Sequence, residues 1–140
     1  MYDILIQQMK DEVLRHGVKE LRTPEEVDAL LKNTKGTTLV FVNSVCGCAG
    51  GIARPALSRS LQHTTIPQTV ATVFASTDRE ATARAREYFT EQPPSSPSFA
   101  LLRDGELLEM IHRSDIERRS PEDVAELLTK AFDTHCSSVK

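Results

Sequence analysis

The chain has 140 residues, 39% of them hydrophobic and 26% charged, the size and balance of one soluble domain around a single core rather than of two domains. Its 17 Lys and Arg against 20 Asp and Glu leave a formal charge of −3 without long single-sign runs, which argues against nucleic acid as the main partner. No stretch nears the roughly 20 apolar residues needed to span a bilayer, so no membrane partner is expected.

Met1 to Lys10 carries an acid at Asp3 and lacks the basic, apolar and small-residue regions of a signal peptide. Instead Tyr2, Leu5, Ile6, Met9 and Val13 recur at helical spacing, which predicts an amphipathic helix over residues 1–16, closed at Gly17 and added to a core of residues 18–136. A short extended piece from Val18 to Leu21 precedes Thr23-Pro24-Glu25-Glu26, where an N-cap, a first-turn proline and a capping-box acid stand in order. Val27, Leu30 and Leu31 should face inward from the helix they start. Thr37 to Val42 is a continuous apolar and β-branched run, as expected of the central strand of a sheet covered on both faces. A helix from about Ala49 to Gln62, kinked at Pro55, should follow, then a strand over Val70 to Ala75 and a helix capped by Thr77 or Asp78 that runs to about Phe89.

Gln92 to Ser98 holds three prolines in five residues and reads as a loop too short to link domains. Phe99–Leu102 and Leu107–Ile111 flank Asp104-Gly105, a pair favoured in two-residue turns, and should form an antiparallel hairpin. Ser120-Pro121-Glu122-Asp123 then starts a last helix with Val124, Leu127, Leu128, Ala131 and Phe132 on one face. Parallel strands joined by right-handed helical crossovers, followed by a hairpin, imply an α/β sandwich with a mixed sheet.

The chemistry concentrates at Cys46-Gly47-Cys48, between the central strand and its helix. A cytoplasmic location is expected, where thiols are kept reduced and a disulfide is more often catalytic or sensing than structural. With three cysteines, at least one thiol stays outside any intrachain pair. Free N–H groups of a first helical turn stabilise a thiolate, so Cys46 is assigned as the nucleophile and Cys48 as its catalytic partner. Residues two apart point to nearly opposite sides, so a Cys46–Cys48 disulfide would be strained, readily reduced, and dependent on the freedom of Gly47. Ala49, Gly50 and Gly51 present little side chain and leave room for a substrate. Three alternatives stand beside this reading: a glycine-rich turn with inert core cysteines, a metal site, or a redox-sensing module without catalysis. His16, His63, His112 and His135 show no local pairing with the motif and read as surface or satisfied groups, so no metal ligand is assigned. Cys136 reads as a free thiol covering the sheet.

The segment Val42-Asn-Ser-Val-Cys-Gly-Cys-Ala-Gly-Gly-Ile-Ala-Arg-Pro55 resembles the signature of the bacilliredoxin family, and a second matching stretch runs from Ile111-His-Arg-Ser-Asp-Ile-Glu117 through Ala131-Phe-Asp-Thr-His-Cys136. The resemblance implies a thioredoxin-like α/β fold, a central mixed sheet flanked by helices with an extra N-terminal helix. It also implies exchange on bacillithiolated or disulfide-containing client proteins, with the low-molecular-weight thiol bacillithiol as co-substrate and no bound cofactor. Cys46 would take bacillithiol onto itself, and free bacillithiol or Cys48 would resolve the adduct. Ser96-Pro97 resembles the cis-proline loop of such folds, and with Gly47 these residues would bind substrate. Unlike ordinary thioredoxins, the chain has no Trp before the motif, and Val40 stands where a buried acid would sit. Arg54 and Asp115 lie in the matched segments with only helix-surface charge to assign to them. An isomerase or oxidant using the strained cysteine pair remains the alternative enzyme.

Overall fold

The computed structural model describes residues 2–136. Helix α1 (Tyr2–Leu14) leads to a short strand β1 (Lys19–Glu20), helix α2 (Pro24–Asn33) and strand β2 (Thr37–Asn43). A π-helical turn (Ala49–Ala53) runs into α3 (Arg54–Ser60), followed by β3 (Thr69–Phe74) and α4 (Arg79–Arg86). The hairpin β4 (Ser98–Arg103) and β5 (Glu106–Ile111), a four-residue helix α5 (Arg113–Ile116) and the long α6 (Pro121–His135) complete the chain.

The five strands form one sheet in the order β1-β3-β2-β4-β5, with β1, β3 and β2 parallel and the hairpin antiparallel. Every residue of β2 is buried, as its unbroken apolar run requires of a strand covered on both faces. Alternation divides its side chains: Leu39 and Phe41 join a core under α3 and α6, while Val40 and Val42 join one under α2 and α4. Phe41 and its direct partner Phe99 stack with ring centroids 4.7 Å apart. The mixed α/β architecture read from the sequence is therefore the observed one.

Several local details differ. Leu5 is exposed and Leu30 only half-buried, while the side chain of Tyr2 lies outside the described residues. The buried stripe of α1 includes Lys10 between Ile6 and Val13. Lys10 is stabilised there by Glu20 at 3.0 Å and Asp78 at 2.8 Å, which tie α1 to β1 and to the start of α4. That ion pair occupies the Asp78 carboxylate, so Asp78 precedes α4 without a side-chain cap. Helix α4 ends at Arg86 rather than Phe89, the remainder being single turns that still bury Phe89. Thr23 and Ser120 cap α2 and α6 through bonds to the backbone N–H of Glu26 and Asp123. Glu26 reaches one residue further back than a capping box would, accepting from the N–H of Arg22. The helix α5 was not anticipated, because four residues are too few to display a period.

The Asp104-Gly105 turn has φ of 52° and 84°, the left-handed pair of a two-residue hairpin. A Cβ on Gly105 would lie 2.9 Å from the carbonyl oxygen of Leu31. Gly105→Ala is thus expected to lower stability by about 1–2 kcal/mol, seen as a lower urea midpoint with an unchanged slope. An unchanged midpoint would refute the strained-turn account.

Candidate active site

Cys46 stands where β2 has ended and helical bonding begins: its carbonyl accepts from the N–H groups of Ala49 and Gly50 at 3.1 and 3.3 Å. Both Cys46 and Cys48 are half-buried free thiols. The segment between them and α3 is a π turn rather than regular α-helix, with the N–H of Arg54 reaching back to the carbonyl of Ala49. This wider turn sits immediately before Pro55, which has no N–H to continue an α-helical ladder. The expected kink at Pro55 is therefore expressed as a change of helical winding, and regular helix ends at Ser60 rather than Gln62.

The Cys46 sulfur accepts a hydrogen bond from the Ser44 hydroxyl at 3.2 Å. Burial opposes ionisation, but the Ser44 hydroxyl, the backbone N–H groups of Ala49 and Cys48 and the nearby Arg113 guanidinium outweigh it and hold the thiol below its ordinary range. The two sulfurs in turn hold Arg113 more firmly protonated. Cys136, at the end of α6, goes the other way, because burial pushes its thiol up.

Beneath the turn lies Arg54, whose side chain is only 6% exposed. Its Nε donates to Glu12 of α1 at 2.9 Å, and its Nη1 donates to the Asn43 side-chain oxygen at 3.0 Å and the Ser44 carbonyl at 2.9 Å. The surface role expected of Arg54 is thus corrected: a buried cation needs partners, and it finds them on α1 and at the end of β2. Gly50 does not face a substrate either, since a Cβ there would lie 2.7 Å from Arg54 Nη2. Gly47 and Gly51 are exposed and have open space where a side chain would project. Gly47 carries no left-handed backbone in this dithiol form; what it contributes is room.

The Ser96-Pro97 peptide is cis. Val42 pairs with Ser98, so this peptide lies beside the turn leading to Cys46. Arg86 donates to the Ser95 carbonyl at 3.2 Å and Arg113 to the Ser96 carbonyl at 3.3 Å, while His112 bonds Ser95 through Nδ1 and Gln92 through Nε2. His112 is a satisfied group, as expected. Asp115 accepts from the N–H of His112 and so caps α5, a role its sequence position did not disclose. Ser44, Arg113 and the buried Arg54 are the site residues that sequence reasoning missed. Only the placement of Ser44, Arg54 and Arg113 inside the two matched segments could have drawn attention to them. Among the described residues no three His, Cys, Asp or Glu side chains gather where they could hold a metal ion, and no helix is long and apolar enough to cross a membrane.

Residues 1–136 match the sequence model of a family described as disulphide isomerase. A bacilliredoxin of Geobacillus kaustophilus is 53% identical over 99% of this chain and 95% of its own length. A bacilliredoxin of Halalkalibacterium halodurans is 55% identical over 95% of this chain and 91% of its own, and one of Koribacter versatilis 50% identical over 97% and 94%. Thioredoxin of Malassezia sympodialis superposes with a TM-score of 0.58 at 14% identity, covering 87% of this chain and 91% of that one. Thioredoxin of Fasciola hepatica gives 0.57 at 19% identity over 81% and 98%. These likenesses bear out the thioredoxin-like fold.

Alkylation follows the thiolate, so Cys46 is expected to react at lower pH than an ordinary cysteine, and Cys136 at higher pH. Ser44→Ala and Arg113→Gln should each move the Cys46 profile to higher pH, since each removes a group that favours the anion; profiles unmoved in both variants would contradict this account. Arg54→Leu strands buried acceptors and should cost about 2–3 kcal/mol in denaturant unfolding. A loss below about 0.5 kcal/mol, the ordinary range for surface changes, would return Arg54 to a surface role.

Proposed function

The chain belongs to the bacilliredoxin family and is a thiol–disulfide oxidoreductase, and from that premise we propose that it removes bacillithiol from mixed disulfides on oxidised proteins, with Cys46 as the attacking sulfur. The observation that carries this reading is the Ser44 hydroxyl donating to the Cys46 sulfur at 3.2 Å; the backbone N–H groups of Ala49 and Cys48 and the charge of Arg113 act in the same direction.

In the first step the Cys46 thiolate attacks the bacillithiol sulfur of the client's mixed disulfide. A bond forms between Cys46 Sγ and that sulfur, the client's S–S bond breaks, and the client leaves as a thiolate that takes a proton from water. The exchange is neutral in electrons: the client is reduced and Cys46 is oxidised. In the second step another bacillithiol thiolate attacks the carried bacillithiol sulfur, so that the Cys46–sulfur bond breaks, Cys46 leaves as thiolate and bacillithiol disulfide is released. Alternatively the Cys48 thiolate attacks Cys46 Sγ, bacillithiol leaves as thiolate, and the resulting Cys46–Cys48 disulfide is reduced by two further low-molecular-weight thiols, which leave as their disulfide. In the first of these routes the donors that stabilise Cys46 as nucleophile also stabilise it as the departing thiolate. The cis Ser96-Pro97 loop, anchored beside Cys46, offers backbone to the client, and Gly47 and Gly51 leave space for the carried thiol. Cytoplasm is the compartment that fits such exchange.

The family's description as disulphide isomerase favours a second reading, in which the Cys46–Cys48 pair itself exchanges with client disulfides. The two are separated by mass spectrometry after mixing with a bacillithiolated protein. A bacillithiol-sized adduct on Cys46, retained in Cys48→Ala and absent in Cys46→Ala, is the expected result. Transfer persisting without Cys46 would overturn the nucleophile assignment, and reshuffling of client disulfides that needs both cysteines and no small thiol would support the isomerase instead.

A further inference from the structure

Three strand ends meet at one corner of the sheet. Ser98 pairs with Val42, which brings Ser96-Pro97 alongside the turn to Cys46, and Phe99 pairs with Ile111, which brings His112 and Arg113 back over the same loop. Arg113 is held there by its backbone N–H on the Ser95 hydroxyl at 3.4 Å, by Nη1 on the Ser96 carbonyl at 3.3 Å, and by Glu117 at 3.5 Å from Nε. Its other terminal nitrogen, Nη2, has no partner among the described residues, and its side chain is 43% exposed. A positioned guanidinium with one unpartnered nitrogen thus lies at the loop beside the motif, where its charge acts on both sulfurs.

We propose that Arg113 is a specificity-determining residue, and that its unpartnered Nη2 selects small thiols carrying a carboxylate or similar anion when they are attached to Cys46. This rests on the Cys46 adduct proposed above and names the class of thiol that the adduct prefers. A guanidinium N–H gives a carboxylate a charge-assisted hydrogen bond, and an ion pair at such a half-exposed position corresponds to a preference of about two- to fivefold. The net charge of −3 works against anionic reagents over the whole surface, so a preference for them must come from a local cation.

The test uses the reduced chain with Cys48→Ala, so that adducts persist, and three symmetrical disulfides: dithiodipropionate (anionic), cystamine (cationic) and hydroxyethyl disulfide (neutral). The Cys46 thiolate attacks one sulfur, the Cys46–S–S–R bond forms, the reagent's S–S bond breaks, and the released thiolate takes a proton from water. Initial rates of adduct formation give an anion-to-cation ratio that cancels any general change in Cys46 reactivity. This ratio is expected to be about two- to fivefold higher with Arg113 than in Arg113→Gln, to be largely kept in Arg113→Lys, and to shrink with added salt. In Arg113→Glu it should fall below the Arg113→Gln value, a reversal that mere loosening of the loop would not produce. Equal ratios in the parent, Arg113→Gln and Arg113→Glu would overturn the proposal while leaving the exchange reading intact. Adducts that form on Cys136 and not on Cys46 would overturn both.

Discussion

The strand-to-helix turn that carries both motif cysteines is built over a buried cation. Arg54 gathers Glu12 from α1, the side chain of Asn43 and the carbonyl of Ser44 onto one guanidinium, because a cation taken out of water is tolerable only with its donors satisfied. Its acceptors come from two separate parts of the chain, so the pose of Ser44, and through it the hydroxyl aimed at Cys46, is coupled to α1 and to the end of β2. Gly50 is then required by packing, since any side chain would meet Arg54. The first helix, which reads as an addition to the core, is by the same contacts part of the support of the site.

Two arginines divide the electrostatic work. Arg54 is buried and spends its donors on oxygen acceptors of the protein, so its role is to hold backbone. Arg113 is half-exposed and its charge acts on both sulfurs, so it favours negative charge at the motif. Val40, which stands where the resemblance to thioredoxins would lead one to expect a buried acid, is a fully buried apolar residue. The site thus favours a thiolate at Cys46, which suits that sulfur to exchange.

The proline loop and α5 are one unit. Arg86, His112 and Arg113 hold the Ser95–Ser96 segment, and Asp115 caps the helix that presents Arg113. The loop has little apolar side chain of its own to bury, so polar contacts from α4, from His112 and from α5 supply its order.

What the sequence determined by itself is local or periodic. The β-branched run of β2, the caps at Thr23 and Ser120, the Asp104-Gly105 hairpin and the Cys46-Gly47-Cys48 turn each declare themselves through neighbours in the chain, because backbone preference and hydrophobic period are properties of short segments. The matched segments added the fold and the cis geometry at Pro97. Tertiary structure alone decided which polar residues are interior and which charges meet: Lys10 with Glu20 and Asp78, Arg54 with Glu12 and Asn43, Arg113 with the sulfurs of Cys46 and Cys48. These partners lie from 10 to 68 residues apart in the chain. An isolated arginine in a helix carries no mark of burial until the strands that surround it are in register, so Cys46 was legible as a nucleophile before the cations that support it were.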